Sequence, residues 1–184
     1  MRVKSSVFIA TSLDGYIARE DGSLDWLDQA NEAATPGEDF GYDSFIASVD
    51  ALVMGRNTFE KVLSFGGNWP YGSKPTVVLS RGQVAIPPHL AETVSTSSEP
   101  PRTLVERLAA SGAKHLYIDG GLTIQSFLRE GLIDEITLTL IPVLLGSGKP
   151  LFGPLDQDLK LTHLATQTYR SGFVQHQYRV VKQA

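Results

Sequence analysis

Residues 49–60 read Val-Asp-Ala-Leu-Val-Met-Gly-Arg-Asn-Thr-Phe-Glu. The run Ala51-Leu-Val-Met54 has the length and apolarity of a buried strand. Gly55 breaks it. Asn57 precedes Glu60 by three positions, a capping-box spacing that predicts a helix from about Thr58. The order is therefore strand, glycine turn, basic residue, helix N-terminus. Free N–H groups and the positive end of the helix dipole favour an anion there, and Arg56 adds a full charge. The plain alternative is an ordinary turn with a solvated arginine. A second unit of the same kind follows. Leu116-Tyr-Ile118 is a strand, Asp119-Gly-Gly121 ends it, and residues 122–130 form a helix closed by Gly131. Glycines at such a turn let the backbone approach a ligand closely. A third strand, Thr76-Val-Val-Leu79, delivers Ser80-Arg81-Gly82. In open α/β sheets, ligands sit outside the carboxyl ends of strands. An elongated, multiply phosphorylated cofactor is the simplest ligand for three such ends.

The 184 residues suffice for a single domain, 1–184, with a real core. A net charge of −4 gives no electrostatic reason to expect nucleic acid or an anionic membrane as partner. The chain has no cysteine, which excludes disulfides, thiolate metal sites and cysteine nucleophiles. That is compatible with a reducing cytoplasm, the expected location. No apolar stretch approaches a membrane span, and the first residues carry no apolar signal region. His89, His115, His163 and His176 show no metal-ligand spacing, so no metal is expected.

Elsewhere, residues 3–10 read as a central strand, followed by turns at Asp14-Gly15 and Asp21-Gly22 with Trp26 beside them. Residues 39–49 read as a helix with Phe45, Ile46 and Val49 in its apolar stripe. Asp39 and Asp43 share one face of it. Two carboxylates there form a solvated face, or stand at the mouth of a pocket to hold or protonate a substrate; Asp39 could equally cap the helix. Trp69 and Tyr71, in the Gly- and Pro-rich stretch 65–75, either line a pocket or pin the loop. A short strand is expected at 92–94. A helix then starts at Pro100-Pro101 and ends at Gly112. Residues 133–141 read as a strand, 143–150 as a loop, and 159–169 with 173–181 as a terminal antiparallel hairpin. His176 lies on one face of that hairpin as a sheet residue.

Four segments occur in the order seen in dihydrofolate reductases: Ala10-Thr-Ser-Leu-Asp-Gly-Tyr-Ile-Ala18, Val53-Met-Gly-Arg-Asn-Thr-Phe-Glu60, Lys74-Pro-Thr-Val-Val-Leu-Ser-Arg81 and Tyr117-Ile-Asp-Gly-Gly121. The chain most resembles the branch holding the C-terminal reductase domain of the bifunctional riboflavin-biosynthesis protein RibD and its stand-alone bacterial relatives. The resemblance covers nearly the whole chain. It implies a three-layer α/β domain with a mostly parallel central sheet, flanking helices and an antiparallel C-terminal hairpin. It implies NADPH across the strand ends. Gly55, Arg56, Asn57 and Thr58 would meet the central phosphates and the adenosine side. Leu79, Ser80 and Arg81 would bracket the adenine and 2′-phosphate. Gly120, Gly121, Leu122 and Thr123 would take the pyrophosphate. Ala10 and Ile17 would flank the nicotinamide.

Asp39 falls where folate enzymes place the carboxylate that holds the pterin, but the turn after it and the Ser-Leu-Asp-Gly loop are not folate-like. The zinc-site cysteines of a deaminase half are absent. The expected activity is that of an NADPH-dependent oxidoreductase. It would pass a hydride to a small carbonyl, imine or heterocyclic substrate, such as a riboflavin-pathway ribosylaminopyrimidine or a pterin-like ring. Asp39, Asp43 or a water they order would deliver the proton, with Asp14 a weaker candidate. Arg56 and Arg81 favour NADP over NAD. The rival expectations are an NADP(H)-binding protein without turnover and an α/β interaction domain. Relatives often pair as homodimers; the apolar region 133–145 offers either a pairing surface or an internal strand.

Overall fold

The computed structural model describes residues 2–182. The strands are β1 (Lys4–Ser12), β2 (Tyr16–Ala18), β3 (Ala51–Gly55), β4 (Thr76–Leu79), β5 (Val94–Ser97), β6 (His115–Asp119), β7 (Glu135–Ile141), β8 (Lys149–Pro150), β9 (Leu161–Thr168) and β10 (Val174–Val180). The helices are α1 (Asp25–Glu32), α2 (Tyr42–Ala47), α3 (Arg56–Ser64), α4 (Pro101–Ala110) and α5 (Gly121–Arg129). Eight strands form one sheet in the order β5-β4-β3-β6-β1-β7-β10-β9. The first six are mutually parallel; β10 runs antiparallel to both β7 and β9. Strands β2 and β8 form a separate small pair.

Two-residue periodicity sorts the side chains of the central strands onto two faces. Val53, Leu116 and Ile118 point to the side covered by α4 and α5, where Leu104, Leu108, Ile124 and Phe127 meet them. Leu52, Met54, Val78 and Tyr117 point the other way, into Phe59 of α3 and Phe45 of α2. Phe59 and Phe127 are fully buried, each contributing roughly 1.5–3 kcal/mol of transfer free energy. The result is the expected three layers, mostly parallel sheet and antiparallel C-terminal hairpin.

Several boundaries move, for local reasons. Helix α2 starts at Tyr42, not 39, because Phe40 and Gly41 both have positive φ (55° and 80°), which no right-handed helix accepts. Phe40 is held there by Tyr169 and Phe173, whose rings pack on it at 4.9 and 5.3 Å. Helix α3 starts at Arg56 with Gly55 as its cap, so Asn57 lies inside the first turn and is no cap. Strand β5 takes Val94 with the small polar residues 95–97, and not 92–94. Helix α1 was not expected; it buries Trp26 against Ile141 and Phe173. Trp69 packs edge-on against Phe59 and Tyr71, and Tyr71 is buried, so these aromatics pin the 65–75 loop.

Candidate functional site

The two strand–glycine–helix units interlock. A Cβ on Gly55 would stand 2.9 Å from Thr123 Oγ1 of α5, and one on Gly120 would collide with Thr58 Oγ1 of α3. Each unit's glycine thus makes room for the other's threonine. A Cβ on Gly121 would press on Ile17 Cδ1 at 2.9 Å and the Pro150 carbonyl at 3.3 Å. Here the glycines serve packing between elements. The consequence is that the N-termini of α3 and α5 lie side by side, and neither has a side-chain cap. Two adjacent sets of free N–H groups and two aligned dipole ends make a strong place for anions.

The third predicted element joins them. Leu79 is in register with Gly55 across β3 and β4. Ser80 Oγ closes the following turn, donating to the Gly82 carbonyl and accepting from its N–H, both at 3.1 Å. Arg56 Nε donates to Glu60 Oε1 at 2.6 Å. Its Nη1 lies 3.8 Å from where a Gly82 Cβ would be, so the guanidinium reaches the Ser80–Gly82 turn. Arg56, Asn57 and Arg81 are exposed, Thr123 is buried, and Leu122 stands 75% exposed beside them.

Ala10 and Ile17 do not share a cluster. Ala10 packs with Trp26 and Ile141, whereas Ile17 packs on the α5 side against Gly121. Between them Asp14 locks the loop. Its carboxylate accepts from Ser12 Oγ (2.6 Å), Leu145 N–H (3.1 Å) and Gly146 N–H (2.8 Å). Asp39 lies two residues before Gly41, the N-cap of α2, and folds back on the helix start: Oδ2 accepts from the Asp43 N–H at 2.9 Å and Oδ1 from the Gly41 N–H at 3.1 Å. Those bonds hold its pKa below the ordinary carboxylate range. Asp43 is exposed in the first turn. Both carboxylates expected to handle a proton are thus exposed, and that of Asp39 is engaged by backbone.

The residue that sequence reasoning missed is Asp119, read there only as part of the Asp-Gly-Gly turn. It ends β6 beside Met54 of β3. The residue is half-buried, and burial of its carboxylate pushes its pKa up to about 6. Its Oδ1 accepts the Gly120 N–H at 2.8 Å. Its charge is felt by Tyr42, Tyr71 and Tyr117, each with its phenol pKa raised by burial and then by Asp119, Tyr42 to about 12. Tyr117 O–H is occupied by the Phe8 carbonyl at 3.0 Å. The alternation of Tyr117 and Asp119 along β6 could have revealed that both leave the strand on the α2 and α3 side.

An apolar hollow of about 190 Å³ lies on the opposite face, among Leu128, Ile136, Phe152 and Leu161; no ionisable group lines it. Among the described residues no group of three or more potential ligands could hold a metal, and no helix is long and apolar enough to cross a membrane.

The fold and the paired helix ends define an α/β protein of the dihydrofolate reductase-like class. Within it, the chain belongs to the RibD C-terminal domain family, whose model matches residues 4–175. It is 36% identical over 181 residues to the uncharacterized protein YwjB of Bacillus subtilis (strain 168), covering 97% of this chain and 99% of that one. It is similar to a solved structure from Shewanella sp. PV-4, a protein named for riboflavin biosynthesis, at TM-score 0.91 and 42% identity over 98% of this chain and 100% of the other. A deaminase/5-amino-6-(5-phosphoribosylamino)uracil reductase of Thermotoga maritima shares the fold at TM-score 0.71 and 15% identity. There the match covers 98% of this chain and 57% of that one.

Proposed function

We propose that the protein is an NADPH-dependent reductase of small heterocyclic, carbonyl or imine substrates, with the dinucleotide lying across the ends of β3, β4 and β6. The observation that carries this reading is the interlock of α3 and α5, which presents two uncapped helix N-termini as one surface. The residues fit the cofactor. Gly55, Arg56, Thr58, Gly120, Gly121 and Thr123 surround the anion-binding ends. Arg56 and Arg81, at the Ser80–Gly82 turn, suit a 2′-phosphate, and exposed Leu122 offers an apolar contact beside them. When bound, NADPH supplies the hydride; the chain's own residues bind, orient and shield the reacting groups. Membership of the RibD C-terminal domain family supports a reduction step in riboflavin-type pyrimidine chemistry.

The same reading includes pairing of two copies. All eight residues of β9 are exposed, none is Asp, Glu, Lys or Arg, and among the described residues no strand pairs with its outer edge. Natural edge strands are usually shortened, charged or covered; a second copy supplies the cover.

Titration of the protein with NADPH and NADH, read by fluorescence of Trp26 and Trp69, tests the cofactor assignment. The expected result is tight NADPH binding with much weaker NADH binding. Absence of binding to either nucleotide, confirmed by calorimetry, removes the reductase reading.

A further inference from the structure

The hollow beside β9 holds one polar side chain in an apolar wall. Its floor is core, made by the buried Leu128 of α5 and Ile136 of β7. Exposed Phe152, Leu155 and Leu161 stand around it. The polar side chain is Gln125 of α5, itself only 9% exposed. Its Nε2 donates to the Pro150 carbonyl at 3.1 Å and to the Leu151 carbonyl at 3.3 Å. Those bonds occupy the donors and fix the amide in place. Among the described residues no group donates to Oε1. That oxygen lies against Gly153, where an added Cβ would stand 2.5 Å from it. Gly153 lines the same hollow, so the lack of a side chain there leaves Oε1 open to an approaching donor. A buried acceptor without a donor is unfavourable. Water is a poor remedy, since a buried water needs roughly two to four polar partners and the side chains here offer one.

We propose that this hollow is a second binding site, for a small neutral aromatic molecule carrying a single N–H donor, of the size and shape of indole. The N–H donates to Gln125 Oε1 and the ring lies on Leu128 and Ile136. The size agrees: an apolar cavity of about 150 Å³ takes up benzene, and this one, at about 190 Å³, has room for a ring system little larger. The charge agrees as well. No ionisable group lines the hollow, so a charged ligand would lose hydration without replacement. The site is separate from that assigned to the dinucleotide, and the proposal does not rest on the reductase reading. Gln125 stands one turn beyond Gly121 on α5, and the Pro150 carbonyl that it holds is the one a Gly121 Cβ would press on at 3.3 Å. An occupant therefore bears on the helix whose N-terminus is assigned to the cofactor.

The test uses the full chain without nucleotide. Calorimetry compares indole with indene, which has the same fused rings but a CH₂ in place of the N–H. A purely apolar hollow favours indene, the ring that water solvates less well. The expected result is the reverse: one indole per chain, bound roughly threefold or more tightly than indene, as one net hydrogen bond provides. In Gln125→Met, of similar volume but without the acceptor, the order should invert. A wild-type measurement guards against misfolding of that variant. The side-chain amide ¹H–¹⁵N pair of Gln125 and the backbone amides of Gly153 and Leu155 should shift with indole, and the Gln125 pair should shift less with indene. No binding of either ring, indene equal to or better than indole in the wild type, a preference for indole that survives in folded Gln125→Met, or shifts confined to other residues overturns the proposal. Sedimentation velocity on the same samples decides the rival occupant. If indole affinity falls as rising protein concentration drives pairing, a second copy fills the hollow and the small-molecule site is refuted.

Discussion

Replacing Gly120 by alanine probes the interlock directly. Gly120 has φ 92° and ψ 137°, a backbone region that is almost glycine's own, so any side chain there costs about 1–3 kcal/mol. The new methyl would also collide with Thr58 Oγ1, and Thr58 Cβ would lie at 3.4 Å. Thr58 sits on the first turn of α3 and cannot retreat as the tip of a long side chain would. Overpacking of this kind costs about 1–3 kcal/mol. The total expected loss is roughly 2–6 kcal/mol, read as a lowered urea midpoint at unchanged m. Gly112→Ala is the control: its φ is 100°, but nothing lies within 4 Å of its Cβ, so only a conformational cost of about 1–2 kcal/mol is expected. Adding Thr58→Ala to Gly120→Ala removes the obstructing oxygen and should recover about 1–3 kcal/mol beyond the sum of the single effects. If the two substitutions are instead additive within about 0.5 kcal/mol, the glycine–threonine contact does not join the helices and the reasoning fails. Gly120→Ala should also weaken NADPH binding under conditions where it is folded, since α5 must shift away from α3.

Four further outcomes follow from the geometry. Arg81→Ala should weaken NADPH binding by roughly 10- to 100-fold and leave NADH binding nearly unchanged, measured by the same fluorescence titration. The folded pKa of Asp119, about 6, lies above its unfolded value of 3.8, so native protein holds the proton more tightly and stability falls as pH rises through that window. Asp119→Asn should therefore stabilise the fold by up to about 3 kcal/mol near pH 7.5 and by nothing below about pH 3, in urea titrations at each pH. Asp39→Ala should lower the urea midpoint slightly by removing the two backbone bonds at the start of α2, whereas Asp39→Asn, which keeps an acceptor oxygen, should lower it less. Leu164→Lys, on the exposed face of β9, should shift sedimentation velocity profiles from dimer to monomer; an unchanged profile would place the pairing surface elsewhere.

The strands and the glycine turns that start α3 and α5 were legible because their signals are local. Apolar runs stopped by glycine at 55, 120 and 121 marked both the strand ends and the helix starts. The helix starts themselves slipped where a cap could be drawn two ways. Asn57 and Glu60 fit a capping box on paper, but Gly55 caps α3 and Glu60 binds Arg56. Asp39 was visible as a carboxylate beside a helix, yet two residues of positive φ between it and Tyr42 turn it back onto the backbone. Asp119 escaped notice for a non-local reason. Tyr42 and Tyr71, whose phenols feel its charge, come 77 and 48 positions earlier in the chain, and no spacing within β6 announces them.

The place of β1 in the sheet bears on how the chain reaches this state. It precedes every other strand described, and it lies between β6 and β7, its two neighbours in the sheet. Those partners begin at His115 and Glu135, so β1 has no strand to pair with until more than 110 residues have been synthesised. Pairings this far apart in sequence slow folding and leave an apolar strand open to wrong partners meanwhile. A nascent chain halted before residue 115 would carry Val7-Phe-Ile uncovered, and chaperone binding on the ribosome should be strongest in that interval and fall once β7 emerges.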